Sequence, residues 1–445
     1  PSVSGGWRVS EEAFWKVNPD LFSNLKIRAS YGSLGNGNVS PYSFLELLSI
    51  STSGRVLNGL KNKYTSAPAV MPDGLTWETA TTTDVGLDFG MLNNRLQFNG
   101  DYYIRKTTDM YTVGETLPDV FGASSPKGNY ADMTTKGWEI TLTWRDQFTL
   151  AEKPFNYEIR GTLSDYISTI DRYNNQTGNL DDYYAGKRVG EIWGYVTEGL
   201  FKDQADIDSH ADQTLIQSSS KRITYPGDVK IKDLNGDHVI DYGNNTVDDH
   251  GDKTVIGNAL PRYAYSINLS GDWNNFFLSA FFQGVGKQDW YPSSECIFWG
   301  QYNRPYNNMP TWHQGNYWTE DNTDAYLPRY AGYNASLKST PQTRYLQNVA
   351  YIRLKNLQFG YTLPQPIVSK AKLQNVRVYI SAENLWCWSP LYKHTRDLDV
   401  TNIYGSDPDL TDADMSSGLN GNRGSGDGNS YPQMKSVSLG LSVTF

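Results

Sequence analysis

The feature that most constrains how this chain can fold is the way its alternating segments are joined. Runs in which apolar and polar residues alternate with period 2 recur along the 445 residues, as they do in strands with two unlike faces. In "RLQFNGDYYI", Leu96, Phe98, Gly100, Tyr102 and Ile104 oppose Arg95, Gln97, Asn99, Asp101 and Tyr103. "KGWEITLTWR" sets Trp138, Ile140, Leu142 and Trp144 against Glu139, Thr141, Thr143 and Arg145, so that Trp brackets an aliphatic row. "AYIRLKNLQFGYTL" changes phase between Leu354 and Leu357, which predicts a bulge. With a first strand over 6–14, about eleven strands are expected, most of about 9 to 11 residues, the length that crosses a bilayer when tilted. Short connections near 15–23, 92–94, 146–154, 274–275 and 364–375 alternate strictly with long ones near 35–78, 106–135, 170–261, 285–348 and 386–434. An antiparallel meander sends every second connection to the same end, so the long loops share one side and the tight turns the other.

That asymmetry is a property of outer-membrane barrels, with short periplasmic turns and long external loops. The chain ends "SVSLGLSVTF", where Val437, Leu439, Leu441, Val443 and Phe445 face one way and Ser436, Ser438, Gly440, Ser442 and Thr444 the other. The oily face would meet lipid, the polar face a wet lumen, and Phe445 the aromatic girdle at the periplasmic interface. A soluble sandwich or propeller also alternates, but a propeller repeats every 40 to 50 residues or so, and no such repeat is visible. Loops of this length also far exceed those of soluble hairpins.

Composition closes other routes. Mean hydropathy is −0.57, and no run approaches the roughly 18 apolar residues of a transmembrane helix. The 31 Tyr, 13 Trp and 40 Gly suit strands joined by turn-rich loops. A net charge of −9 and a pI near 5.2 argue against a nucleic-acid partner. Five His and two cysteines, Cys296 and Cys387, offer no zinc spacing. "PSVSGGWRVS" lacks the basic and apolar regions of a signal peptide, and the chain is expected to be a piece of a longer one.

Several stretches together resemble the C-terminal half of the SusC/RagA family of TonB-dependent transporters of Bacteroidetes. They include "GWRVSEEAFW", "NLKIRASYGSLGNGN", "LTWETATTTDVGLDFGMLNNRLQFNGDYYIRKTTDMY", "TTKGWEITLTW", "GEIWGYVTEGLF", "GDVKIKDLNGDHVID", "GNALPRYAYSINL", "YIRLKNLQFGYTLP", "VRVYISAENLW" and "YPQMKSVSLGLSVTF". The resemblance implies an all-β, antiparallel transmembrane β-barrel, of which residues 1–445 supply about eleven of the family's 22 strands. The plug domain and the first barrel strands are then expected upstream. An open sheet also leaves two edges unpaired in hydrocarbon, so other strands must complete the wall. The family further implies a SusD-like surface lipoprotein as lid, TonB acting through the plug, and a glycan or peptide as cargo.

"DLNGDHVID" presents Asp233, Asn235, Asp237 and Asp241 at positions 1, 3, 5 and 9, with the Val239 carbonyl at 7. This is the oxygen spacing of a Ca2+ loop. It departs from that template at His238, where Gly is expected, and at Asn244, which replaces the bidentate Glu. Asp248, Asp249 and Asp252 are candidates for the missing carboxylate, and Asp252 is favoured because "DKTVIG" follows this loop in the family. The alternative is an Asx-rich turn that satisfies its own backbone. A second cluster, Trp290, Tyr291, Phe298, Trp299, Tyr302, Tyr306, Trp312, Tyr317, Trp318 and Tyr326, sits among amides and carboxylates. Such rings suit sugar faces or the lid, although for any single ring packing of the long loop against itself or against a partner protein is the favoured reading. The Gly/Asn/Asp-rich stretch from Leu398 to Asn429 is expected to be mobile or to hold a further ion. No nucleophile elbow, H-E-x-x-H pair or P-loop occurs, so no enzyme is expected. Two other readings stay open: a secreted, soluble, carbohydrate-binding β-protein, and a passive porin-type barrel.

Overall fold

The structure, a computed structural model, describes residues 1–37, 48–66, 74–114, 125–217, 223–292, 296–302, 308–330, 340–401 and 433–445, with positions 45, 120, 338 and 403. Eleven strands form one antiparallel sheet, each beside its predecessor: β1 Ser2–Arg8, β2 Phe22–Asn36, β3 Glu78–Met91, β4 Leu96–Val113, β5 Lys127–Leu150, β6 Lys153–Arg172, β7 Arg262–Trp273, β8 Phe276–Lys287, β9 Tyr351–Thr362, β10 Asn375–Trp388 and β11 Ser436–Thr444. β1 and β11 lie at opposite edges of the sheet.

The register carries the sequence alternation across the whole wall. Leu25, Phe89, Phe98, Leu142, Gly161, Ile267, Phe282 and Leu354 are successive cross-strand partners from β2 to β9. A second row runs Leu278, Phe359, Ile380, Leu439 from β8 to β11. No second sheet covers these side chains among the described residues: Ile380 is 51% exposed, Leu441 67% and Leu439 79%. A continuous apolar face of this extent on a water-soluble monomer would far exceed the few hundred Å² normally left bare. Rings bracket the aliphatic rows. At the short-turn end stand Phe148, Phe155, Trp273, Phe276 and Tyr361, with the Trp144 Nε1–H donating to the Tyr157 hydroxyl at 3.0 Å and that of Trp273 to the Leu150 carbonyl at 2.9 Å. Towards the other end come Tyr31, Tyr102, Trp386 and Trp388, all exposed. This is the girdle arrangement of a transmembrane barrel.

The short connections turn tightly because their residues accept left-handed backbone. Leu92, Asn93 and Asn94 have φ of 53°, 57° and 63°, and Asn274 and Asn275 have 47° and 70°, as hairpin turns require. Several expected boundaries move. The connection placed at 106–135 narrows to 114–126, because β4 and β5 run past the expected 9 to 11 residues, to 18 and 24. The turn placed at 146–154 narrows to Ala151 and Glu152, because Asp146 and Gln147 pair with Tyr157 and Asn156. The first strand ends at Arg8 instead of reaching residue 14, where a helical turn over Val9–Glu11 takes over. The bulge expected between Leu354 and Leu357 is present, with register shifts at that point against both β8 and β10. No disulfide joins Cys296 and Cys387; Cys296 is buried.

At the long-loop end, the connections build a layer of their own. Glu191–Tyr195 pairs with Lys253–Asn258, Thr197–Leu200 with Val229–Ile231, and Asp289–Trp290 with Gln347–Asn348. Their apolar side chains form one core that includes Val285 and Tyr351, at the ends of β8 and β9, so the layer sits on the wall. A separate hairpin, Ile50–Leu57 with Leu60–Thr65, belongs to a two-stranded sheet of its own.

Candidate functional site

The face opposite the apolar rows is polar and carries ion pairs that cross between strands. Arg28 on β2 donates from Nε to Asp88 at 2.9 Å and reaches Asp101 at 2.8 Å, tying β2, β3 and β4 together. Asn99 adds a bond to Asp88, and the hydroxyls of Thr162 and Ser266 meet at 2.6 Å. Towards the short-turn end this face is hollowed by a cavity of about 1160 Å³, lined among others by Arg95, Arg145, Glu158, Asp272, Phe277 and Arg377. A second cavity of about 460 Å³ lies where β6 to β8 meet the loop layer, beside Tyr166, Arg188, Glu191, Arg262, Lys287 and Asp289. The wall is therefore greasy on one side and polar on the other.

The aromatic cluster proves to be mostly core. Trp290, Tyr291, Trp299 and Tyr302 are fully buried, contrary to the expectation that they face substrate or lid. The physical reason lies in their partners: Tyr291 donates its hydroxyl proton to the Lys338 carbonyl, Tyr302 to that of Pro328, and the Trp299 Nε1–H donates to Pro292. Tyr291, Trp299 and Tyr302 thus satisfy their polar ends on loop backbone. Trp312, Tyr317 and Trp318 are half-buried against the same core, and they keep some surface. Tyr306 lies outside the described residues, as does most of the 398–429 stretch. His313 and Tyr345 complete the core. His313 bonds the Phe298 carbonyl through Nε2 and the Tyr330 hydroxyl through Nδ1, and burial pushes its pKa down to about 4. Burial likewise raises the phenols of Tyr291 and Tyr345 well above their ordinary value. The Asp228 carboxyl, fixed by the Arg329 Nε–H at 2.8 Å, is raised by burial, with the guanidinium opposing. Phe298, already in the aromatic cluster read from the sequence, lies in this core; the core residues Tyr195, Phe201 and Tyr345 were not singled out in sequence, since they sit in runs without periodicity.

In the acidic loop, backbone N–H groups occupy the carboxylates. Asp233 accepts from Gly236 at 2.6 Å and His238 at 2.9 Å, and these bonds hold its carboxyl below the ordinary range. Asp237 accepts from Val239, and Asp241 from Gly243. Asp252, wholly buried, accepts from Leu234 at 2.7 Å and Asp241 at 3.0 Å, closing the loop on itself. Asn235 bonds Asp237. Among the described residues no three His, Cys, Asp or Glu side chains are grouped to hold a metal. The donor types suit a hard cation, but their arrangement is that of a self-capped turn. His238 takes the left-handed conformation, φ 65°, at the position where the calcium template has Gly.

No family model matches the chain. It is similar over its whole length to curated receptors: 29% identical over 469 residues to TonB-dependent receptor P3 of Formosa agariphila, and 23% over 461 residues to TonB-dependent receptor SusC of Bacteroides thetaiotaomicron. It spans 42% of the first and 40% of the second. Among solved structures, a chain of the RagAB peptide transporter superposes with a TM-score of 0.70 at 19% identity, covering all of this chain and 43% of that one. That likeness shows the barrel fold. Along its entire length the chain is thus similar to part of the SusC-like TonB-dependent receptors, and it shares the architecture of the corresponding part of a solved outer-membrane transporter.

Proposed function

We propose that the chain forms part of the wall and the external loop layer of an outer-membrane importer. A glycan or a peptide passes through its lumen, TonB supplies the energy through a plug, and a SusD-like lipoprotein covers the loops. The observation that carries this reading is the register-matched apolar belt, continuous from one sheet edge to the other and backed by a charged face. Such a wall suits acyl chains outside and water inside. Further strands close the barrel, because the edge backbone of β1 and β11 needs partners in lipid. Trp312, Tyr317 and Trp318, half-exposed on the loop layer, are the rings left to meet lid or cargo. A peptide cargo has the support of a solved neighbour's name, the RagAB peptide transporter, while the glycan alternative rests on the family resemblance of the sequence.

The test uses the full-length receptor in its own cells. The protein is expected in the detergent-extracted membrane fraction with heat-modifiable migration, and its deletion should abolish growth on one oligosaccharide or peptide mixture. Recovery in the aqueous fraction would overturn the reading in favour of a soluble binding protein, and uptake indifferent to loss of TonB would make it a passive pore. For the acidic loop, the self-capped turn is the first reading. Structural Ca2+ on Asp233, Asn235, Asp237, Val239, Asp241 and Asp252 is the second, favoured by the left-handed His238.

A further inference from the structure

The hairpin Ile50–Leu57 with Leu60–Thr65 has a composition unlike the rest of the chain. It is closed by Asn58 and Gly59, both left-handed at φ 51° and 76°, which fixes a two-residue turn. Its apolar side chains face solvent: Ile50 is 70% exposed, Leu57 64%, Leu60 68% and Tyr64 53%. Leu57 and Leu60 are cross-strand partners, so the two leucines share the tip. Arg55, Lys61 and Lys63 supply three positive charges, and residues 48–66 contain no Asp or Glu, within a chain whose net charge is −9. No ion pair engages the three cations among the described residues.

A bare two-stranded hairpin is marginal in water, and a greasy tip ringed by lysines gains most at a surface that is apolar beneath and anionic above. Long basic side chains lie along such a boundary with their stems buried and their heads among phosphates. The hairpin is also carried between β2 and β3; the exposed Tyr31 lies on the membrane-facing side of β2, and the exposed Trp77 immediately precedes β3. Its linkers, residues 37–49 and 66–77, span at most about 40 to 45 Å when extended, which lets the hairpin reach that side. A protein interface would instead be depleted in lysine.

We propose that this hairpin is a membrane-surface anchor: Leu57 and Leu60 enter the outer boundary of the bilayer beside β2 and β3, while Arg55, Lys61 and Lys63 hold the phosphate groups of anionic lipids. This rests on the reading of the chain as part of an outer-membrane barrel. The full-length receptor carrying Asn62→Cys with an environment-sensitive fluorophore, in a Cys387→Ala background, is placed in nanodiscs of phosphatidylcholine alone or mixed with phosphatidylglycerol. In the mixed discs the emission should shift to the blue and be quenched by spin-labelled lipid, and high salt should weaken both effects. The triple variant Arg55→Ser, Lys61→Ser, Lys63→Ser should lower the anchored population about a hundredfold, at roughly fivefold per charge. A tip that stays water-exposed in both discs, or that is shielded only when the lid lipoprotein is added, overturns the anchor while leaving the barrel intact. A receptor that cannot be incorporated into any disc overturns the barrel reading itself.

Discussion

Arg353 on β9 donates to Asp399 at 2.6 Å with both side chains almost wholly withdrawn from solvent, 4% and 6% exposed. Asp399 also accepts from the Gln433 and Thr401 backbone, while Arg353 donates to the Gln433 side chain. One ion pair thus gathers both ends of the long connection between β10 and β11 onto the wall. Burial opposes the charge on Asp399, but the bonds from Thr401, Gln433 and Arg353 together keep its carboxyl below the ordinary range. Asp399→Ala should strand the guanidinium and cost about 3 to 5 kcal/mol. Limited proteolysis of the full-length receptor should then cut between 398 and 435 much faster than in the parent, and unchanged cleavage would count against the clamp.

The two faces of β8 should respond oppositely to the same charge. Leu278 lies in the apolar belt opposite Phe359, and Ser279 lies on the polar face opposite Gln358. Leu278→Arg, one step inside the Phe276 girdle, is expected to lower stability in a bilayer by about 1 to 3 kcal/mol, with Ser279→Arg closer to neutral. Urea unfolding of the full-length barrel in vesicles measures both; equal losses would mean that the belt does not face lipid.

The loop layer should loosen in acid. Because the folded state holds His313 neutral with its pKa at about 4, the unfolded layer binds the extra proton between there and the ordinary imidazole value near 6.5. The stabilisation is therefore complete above about pH 6.5 and is lost progressively as pH falls towards 4, by about 3 kcal/mol in all. His394, stacked on Tyr326 and also lowered by burial, adds to the same slope. Amide exchange at the 311–316 segment should accelerate over this window, and His313→Gln should remove most of the pH dependence.

The acidic loop gives the two readings opposite outcomes. With Asp252 capping Leu234 and Asp241, Asp252→Ala leaves two backbone donors unmet and should cost about 2 to 4 kcal/mol. Protease sensitivity across 225–255 should rise in that variant with or without calcium, and chelation should not affect the parent protein. Loss of protection on chelation of the parent would instead establish the bound cation.

Much of this architecture is legible in the sequence because a strand wetted differently on its two sides must alternate at every step. Leu96 to Ile104 and Val437 to Phe445 declare their faces without reference to anything distant, and the phase slip at Leu354 marks its bulge for the same reason. Asp146 and Gln147 mislead, since polar residues at a barrel's rim look like a turn although they still pair. The aromatic loops are harder. Trp299 among amides looks the same whether its ring will meet a sugar or Tyr345, and the partners that decide it are 46 positions and several turns away. The acidic loop is ambiguous for a related reason: an oxygen that caps a backbone N–H and one that binds a cation are the same atom at the same spacing.

Because every strand in the sheet lies next to its neighbour in the chain, the wall never has to find a distant partner. Each hairpin offers a finished edge for the next to stitch onto, so assembly can proceed stepwise from either flank, and excising a whole hairpin such as β7–β8 leaves β6 and β9 in the correct antiparallel sense to rejoin. The circumference of such a pore is set by how many hairpins are counted into it, while its chemistry is set separately, by what the loops above are made of.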